Sequence, residues 1–180
     1  MKNIKHQANG VIRNGVSFEE FSTVFKVYEG YPFYESWSEE EVKAEYLSFE
    51  QEGGCIFGYY IDDKCVAILT LHPMVQGEHP VYFPEGKRVM YLSDVATLGK
   101  FRGMGIATQL FHHALHHTEV LGYDYIYLRT NYDEAKSMSA GIAQKCGFKR
   151  IWDSCQEVEM RRIDGNVSKD LRMFMQKKIK

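Results

Sequence analysis

Apolar and polar positions divide the chain into short elements separated by glycine, proline and acidic turns. A brief alternation around Gly10 to Arg13 predicts a first strand. Ser17 and Glu20 stand at capping-box spacing, where a hydroxyl and a carboxylate satisfy the free amides of a helix start. Phe21, Val24, Phe25 and Tyr28 follow at helical intervals. Ser38 and Glu41 repeat the signal ahead of Val42, Tyr46 and Phe49, and Gly53-Gly54 ends that second helix. Cys55 to Ile61 and Lys64 to Leu71 are β-rich runs joined by Asp62-Asp63, which predicts a hairpin. Pro73 to Lys87, with three prolines, reads as a loop. Val89 to Leu98 predicts a strand and Gly103 to Leu121 a helix, with Ala107, Leu110, Phe111, Ala114, Thr118 and Leu121 on one stripe. Tyr125 to Thr130 predicts another strand, and Glu134 to Cys146 a helix closed by Gly147. Two last strands, near Phe148 to Ile163 and Leu171 to Ile179, flank the turn Asp164-Gly165-Asn166. The order β-α-α-β-β-β-α-β-α-β-β predicts an α/β (α+β) fold, a mixed sheet with helices on both faces.

Length keeps this to one domain over residues 1–180, with no repeat or Gly/Ser/Pro linker to divide it. At 44% hydrophobic and 26% charged, the composition is that of an ordinary globular protein. A net charge of -2 gives no reason to expect nucleic acid or an acidic membrane as partner. No run approaches the roughly 20 apolar residues that span a bilayer. Met1 to Gly10 is polar, unlike a signal peptide, so a cytoplasmic location is expected. Cys55, Cys65, Cys146 and Cys155 form no CxxC pair and read as reduced thiols.

Chemistry concentrates in Asp94-Val95-Ala96-Thr97-Leu98-Gly99-Lys100-Phe101-Arg102-Gly103-Met104-Gly105-Ile106-Ala107. Here a strand runs into a glycine turn with a basic flank, and a long helix begins. The first turn of a helix has unpaired N–H groups and a partial positive charge, so it can hold a phosphate. Gly103 and Gly105 lack Cβ atoms and let an anion approach the backbone, while Lys100 and Arg102 add charge. A pyrophosphate is the expected ligand. A Rossmann fingerprint would require a third glycine where Thr108 stands, and a P-loop would require Gly-Lys-Ser/Thr where Ile106-Ala107 stand. A glycine-eased turn that binds nothing is the competing reading.

Arg102-x-x-Gly105-x-Ala107 resembles the (Gln/Arg)-x-x-Gly-x-(Gly/Ala) signature of the GNAT family of N-acetyltransferases. Tyr91 to Thr97 resembles that family's central strand, Cys146-Gly147-Phe148 resembles its Leu-Gly-Phe ending, and the element order is similar over nearly the whole chain. The resemblance implies a twisted, mostly antiparallel sheet of six to seven strands, splayed at the central strand to admit the pantetheine arm of acetyl-CoA. It implies backbone bonds from Val95 and Thr97, with Ala96 between them, to that arm. The amides from Phe101 through Gly103, Met104, Gly105 and Ile106 to Ala107 would bind the pyrophosphate beside Lys100 and Arg102. The Val95 N–H would polarise the thioester carbonyl, an oxyanion-type role. Asn131 is a candidate for the family's asparagine, whose matching slot holds Lys136.

The chain departs from the pattern at two catalytic slots. Ala143 stands where many relatives have a tyrosine that protonates the leaving thiolate, with Tyr132, Ser137 and Ser139 nearby as substitutes. Ser93 stands where relatives carry a glutamate, leaving Asp94 as the carboxylate that would serve as base or amine anchor; a solvated strand-end Asp94, with direct attack held by proximity, is the competing reading. The segment from Tyr28 to Trp37 joins the first two helices and resembles the family's acceptor-lining connection. Its Tyr31, Phe33, Tyr34 and Glu35 would suit a cationic, partly apolar amine, although packing against the sheet explains the rings as well. The histidines His112, His113, His116 and His117 read as a solvated helix face, with no metal expected, because neither i, i+4 pair has a third ligand. Lys177-Lys178 reads as an exposed strand end.

The resemblance implies acetyl transfer from acetyl-CoA to a primary amine by direct attack in a ternary complex, and the aromatic linker, which suggests an enclosed pocket, favours a small-molecule acceptor. It also allows a homodimer. A non-catalytic acyl-CoA sensor, favoured by Ala143 and Ser93, and a nucleotide-binding protein using the same glycine turn are the competing classes.

Overall fold

The computed structural model describes residues 9–31, 33–133 and 137–180. In chain order these form β1 (Val11–Asn14), α1 (Phe18–Phe25), α2 (Glu39–Gln51), β2 (Cys55–Ile61), β3 (Lys64–Pro73) and β4 (Val89–Thr97). Then come α3 (Ile106–Val120), β5 (Tyr125–Asn131), α4 (Met138–Lys145), β6 (Lys149–Arg161) and β7 (Val167–Lys178). Both capping boxes form as the sequence predicts: Ser17 and Ser38 each accept from the amide three residues on, and Glu20 and Glu41 each accept from the cap's own amide. Asp62 and Asp63 take φ of 48° and 57°, the left-handed pair that a tight hairpin demands.

Several boundaries differ from the expected ones: β7 starts at Val167, four residues ahead of the expected Leu171, and β3 runs on to Pro73. The helix expected from Gly103 starts at Ile106, because Gly103 and Gly105 both sit at φ 79° and a short 3-10 turn over Gly99–Phe101 precedes them. Ile106 and Leu115 join its buried stripe, whereas Leu121 lies past the helix end and is exposed. The expected helix start at Glu134 falls outside the described residues, and α4 begins at Met138. Lys177 is not a free strand end: its Nζ donates to the Cys146 carbonyl at 2.7 Å and holds the C-terminus of α4.

One seven-stranded sheet has the order β1-β2-β3-β4-β5-β7-β6. Every neighbouring pair is antiparallel except β4 and β5, which α3 connects as a crossover. Helices α3 and α4 cover one face over a core that includes Phe57, Leu69, Leu71, Phe111 and Phe148. Helix α1 covers the other face through Phe21, Val24 and Phe25, with Phe49 of α2 against Phe21. Burying each such aromatic is worth about 1.5–3 kcal/mol.

The feature that positions the site is a gap. Pairing of β4 with β5 runs from Val89↔Tyr125 to Leu92↔Leu128 and stops. Beyond that point β4 stays paired with β3 as far as Thr97, and β5 with β7 as far as Asn131. The sheet therefore opens along one seam while each side keeps its other neighbour.

Candidate active site

Above the seam, β4 carries one residue more than β3: Leu69 pairs with Val95 and Leu71 with Leu92, so Ser93 and Asp94 together face Thr70. Such a bulge breaks the alternation of side chains and re-aims them. Leu92 and Val95 both pack toward the α3 core, and all four residues from Leu92 to Val95 line the cavity. Thr70 fixes the bulge by accepting the Asp94 amide on Oγ1 at 2.8 Å. Asp94 sits half-buried beside Tyr28, with Thr70 Oγ1 3.5 Å from its carboxylate. Burial, reinforced by the nearby carboxylate of Glu45, pushes it up to about 7. Burial likewise raises Glu45 and Glu35.

The glycine turn closes the other end. Among the described residues, the amides from Gly103 to Thr108 have no carbonyl partner. A Cβ added at Gly103 or Gly105 would meet nothing within 4 Å, so the space over the turn is open. Open space, left-handed glycines, free amides and a split sheet together fit a pyrophosphate with an extended arm running into the seam. Arg102 braces the turn: Nε donates to the Thr97 carbonyl at 3.3 Å and Nη1 to the Tyr31 carbonyl at 3.4 Å.

A cavity of about 630 Å³ connects the turn, the seam and the bulge. Val95, Ala96, Thr97, Phe101, Arg102, Gly103, Gly105, Ile106, Ala107 and Asn131 line it, as does Asp94. Two expected cofactor residues do not. The Lys100 ammonium sits 4.8 Å from the Phe101 ring centroid, and Met104 packs on the core beneath α3. Of the residues expected to meet an acceptor, Phe33 and Glu35 reach the cavity, with Trp37 Nε1 donating to Glu35 at 3.2 Å. Tyr31 and Tyr34 do not: they contact each other edge-on at the surface, 74% and 45% exposed, and Tyr34 takes the left-handed φ of 51°.

Three groups of lining residues escape any reading of the sequence. Glu45, Ser48, Phe49 and Glu52 come from the inner face and C-terminal end of α2, and Arg129 and Arg172 from β5 and β7. A hydrogen-bonded chain also leads outward, from Ser93 Oγ to His72 Nδ1 at 3.1 Å and from His72 Nε2 to Glu78 at 3.1 Å. Only the pairing of distant strands brings these together, so no local spacing announces them. Ala143 is fully buried in the core. Ser137 and Ser139 line the cavity and both contact Thr130, whereas Tyr132 is exposed and off the lining. His113 and His117 set ring edges against Phe57 at 4.7 and 5.1 Å, and burial lowers both. Among the described residues, no three His, Cys, Asp or Glu side chains gather as a metal site. No described helix is long and apolar enough to cross a membrane.

Solved structures share this architecture. An N-acetyltransferase from Staphylococcus aureus Mu50 superposes with TM-score 0.69 at 18% identity, covering 96% of this chain and 100% of its own. The ribosomal-protein-S18-alanine N-acetyltransferase of Escherichia coli gives 0.68 at 15% identity, covering 95% and 94%. A phosphinothricin acetyltransferase from Sinorhizobium meliloti, solved in complex with AcCoA, gives 0.67 at 13% identity, covering 95% and 89%. At such identities the likeness speaks for the fold alone. No curated protein matches the chain by sequence. The model of the acetyltransferase (GNAT) family, however, matches residues 21–148, so a split sheet and a glycine-turn helix start meet a family signature over most of the chain. The chain belongs to the acetyltransferase (GNAT) family.

Proposed function

We propose that the protein transfers the acetyl group of acetyl-CoA to the primary amine of a small molecule, by direct attack while both are bound. Asp94 carries this reading. It is a carboxylate on a bulge, at the mouth of the seam, shifted up to about 7 where a general base works best at neutral pH. The amine nitrogen attacks the thioester carbon, its proton passes to Asp94, and the C–S bond breaks as the tetrahedral intermediate collapses. In this reading the Val95 amide stabilises the oxyanion, and the amides of Gly103 to Ala107 hold the pyrophosphate. The leaving thiolate needs little help, since a thiol has a reference pKa of about 8.5. Thr130, Ser137 and Ser139 supply O–H donors across the seam. The same reading puts the protein in the cytoplasm and makes neither nucleic acid nor membrane its partner.

The test is thiol release from acetyl-CoA over a panel of amines, with coenzyme A binding followed by calorimetry. Turnover is expected, and Asp94→Asn should lower kcat about 10²–10⁴-fold while coenzyme A still binds. Binding without turnover on any amine would make this a sensory module instead, and absence of binding would remove the cofactor itself.

A further inference from the structure

The acceptor half of the cavity is dipolar. One wall, from α2 and β4, carries the carboxylates of Glu45, Glu52 and Asp94; the other, from β5 and β7, carries Arg129 and Arg172, while the two further lining carboxylates are engaged, Glu35 by Arg172 and Glu78 by His72. Arg172 is committed within the protein, its Nη2 lying 3.2 Å from Asp170 and 3.7 Å from Glu35. Arg129 is not. Among the described residues its guanidinium makes one hydrogen bond, from Nη1 to Gln156 Oε1 at 3.3 Å, and no ion pair within 4.0 Å. Its Nε and Nη2 donors have no acceptor among those residues and are not enclosed. Arg129 directly follows Leu128, the last β5 residue paired with β4, so it stands at the mouth of the seam across from Ser93 and Asp94. Its charge acts on both Asp94 and Glu45 without pairing to either.

A guanidinium fork open to a cavity matches a carboxylate, which it can grip through two parallel bonds. A purely cationic acceptor such as a polyamine would be drawn to the acidic wall and repelled by Arg129. A neutral amine would leave the guanidinium without an anion. Resting on the acetyl-transfer reading, we propose that the acceptor is an amino acid or a close relative of one, with its amine toward Asp94 and its carboxylate on Arg129.

The experiment compares each proteinogenic amino acid with its α-carboxamide, and with spermidine, on the wild-type protein saturated with coenzyme A. Thermal shift reads binding, and thiol release from acetyl-CoA reads turnover. At least one free amino acid should raise the melting temperature and exceed its amide by about tenfold or more in kcat/KM, the discrimination of a site built around a charged group. Arg129→Gln should collapse that ratio to about twofold or less, and Arg129→Lys, which keeps charge but loses the fork, should fall between. Amides or spermidine matching the acids in both readouts would overturn the proposal, as would Arg129→Gln weakening acid and amide equally. Turnover without carboxylate preference would sink the acceptor class and leave acetyl transfer standing. A carboxylate-selective, Arg129-dependent shift without turnover would do the reverse.

Discussion

Folding moves the Asp94 carboxyl from its ordinary value of 3.8 up to about 7, so between those values the native state binds more protons than the unfolded chain. Stability from this group is therefore fully present below about 3.8 and is lost as pH rises toward 7. Asp94→Asn should accordingly melt higher than wild type at about pH 8 and equally at about pH 3.5, by about 2–4 °C per kcal/mol relieved; scanning calorimetry at both values checks this. On the proposed general-base role, kcat should rise with pH through about 7 and level once the carboxylate forms. Because the Glu45 charge helps hold Asp94 up, Glu45→Gln should move that limb to lower pH, read from a kcat–pH profile. The sequence displays Asp94 only as an acidic residue ahead of Val95 and Ala96 on a predicted strand. Its burial and its place on a bulge depend on pairing with Thr70, a residue 24 positions away, and no local spacing reveals them.

At the scale of elements, the helix starts carry the most weight. Helix α2 buries only Val42 and Phe49, yet it supplies Glu45 and, at its end, Glu52 to the cavity, so its capping box matters more than in a well-buried helix. Ser38→Ala should cost about 1 kcal/mol in urea unfolding and raise the acceptor KM while leaving coenzyme A affinity in place. Helix α3 begins from Gly105 in the left-handed region, where a side chain costs about 1–2 kcal/mol. Gly105→Ala would also put a methyl group into the open space over the turn. Its coenzyme A affinity should fall about tenfold or more, equivalent to about 1.4 kcal/mol, in a calorimetric titration. Both caps and the glycine turn are legible because their signals are local: a hydroxyl and a carboxylate three residues apart, or two glycines before an apolar stripe. The exposure of Tyr31 and Tyr34 escapes for the complementary reason, since the left-handed backbone at Tyr34 has no glycine to announce it.

For the whole molecule, the decisive arrangement is the insertion of β7 between β5 and β6, which no nearest-neighbour reading of the chain supplies. The element order and the helix-covered faces follow from alternation and period, but the register that puts Arg172 beside Asn131 is non-local. Met173, Phe174 and Met175 of β7 are all buried, and both flanking strands pair with it. A chain ending at Asp170 should therefore show no cooperative thermal transition and should aggregate through the strand edges it exposes; calorimetry and light scattering check this. The open seam has a different consequence. A sheet whose middle pair separates past Leu92 leaves hydrogen-bonding capacity for a guest to complete. A ligand that docked there would complete the sheet, adding about 2.7 kcal/mol of stability at a hundredfold excess over its Kd. Protection from proteases should then rise with occupancy of the seam.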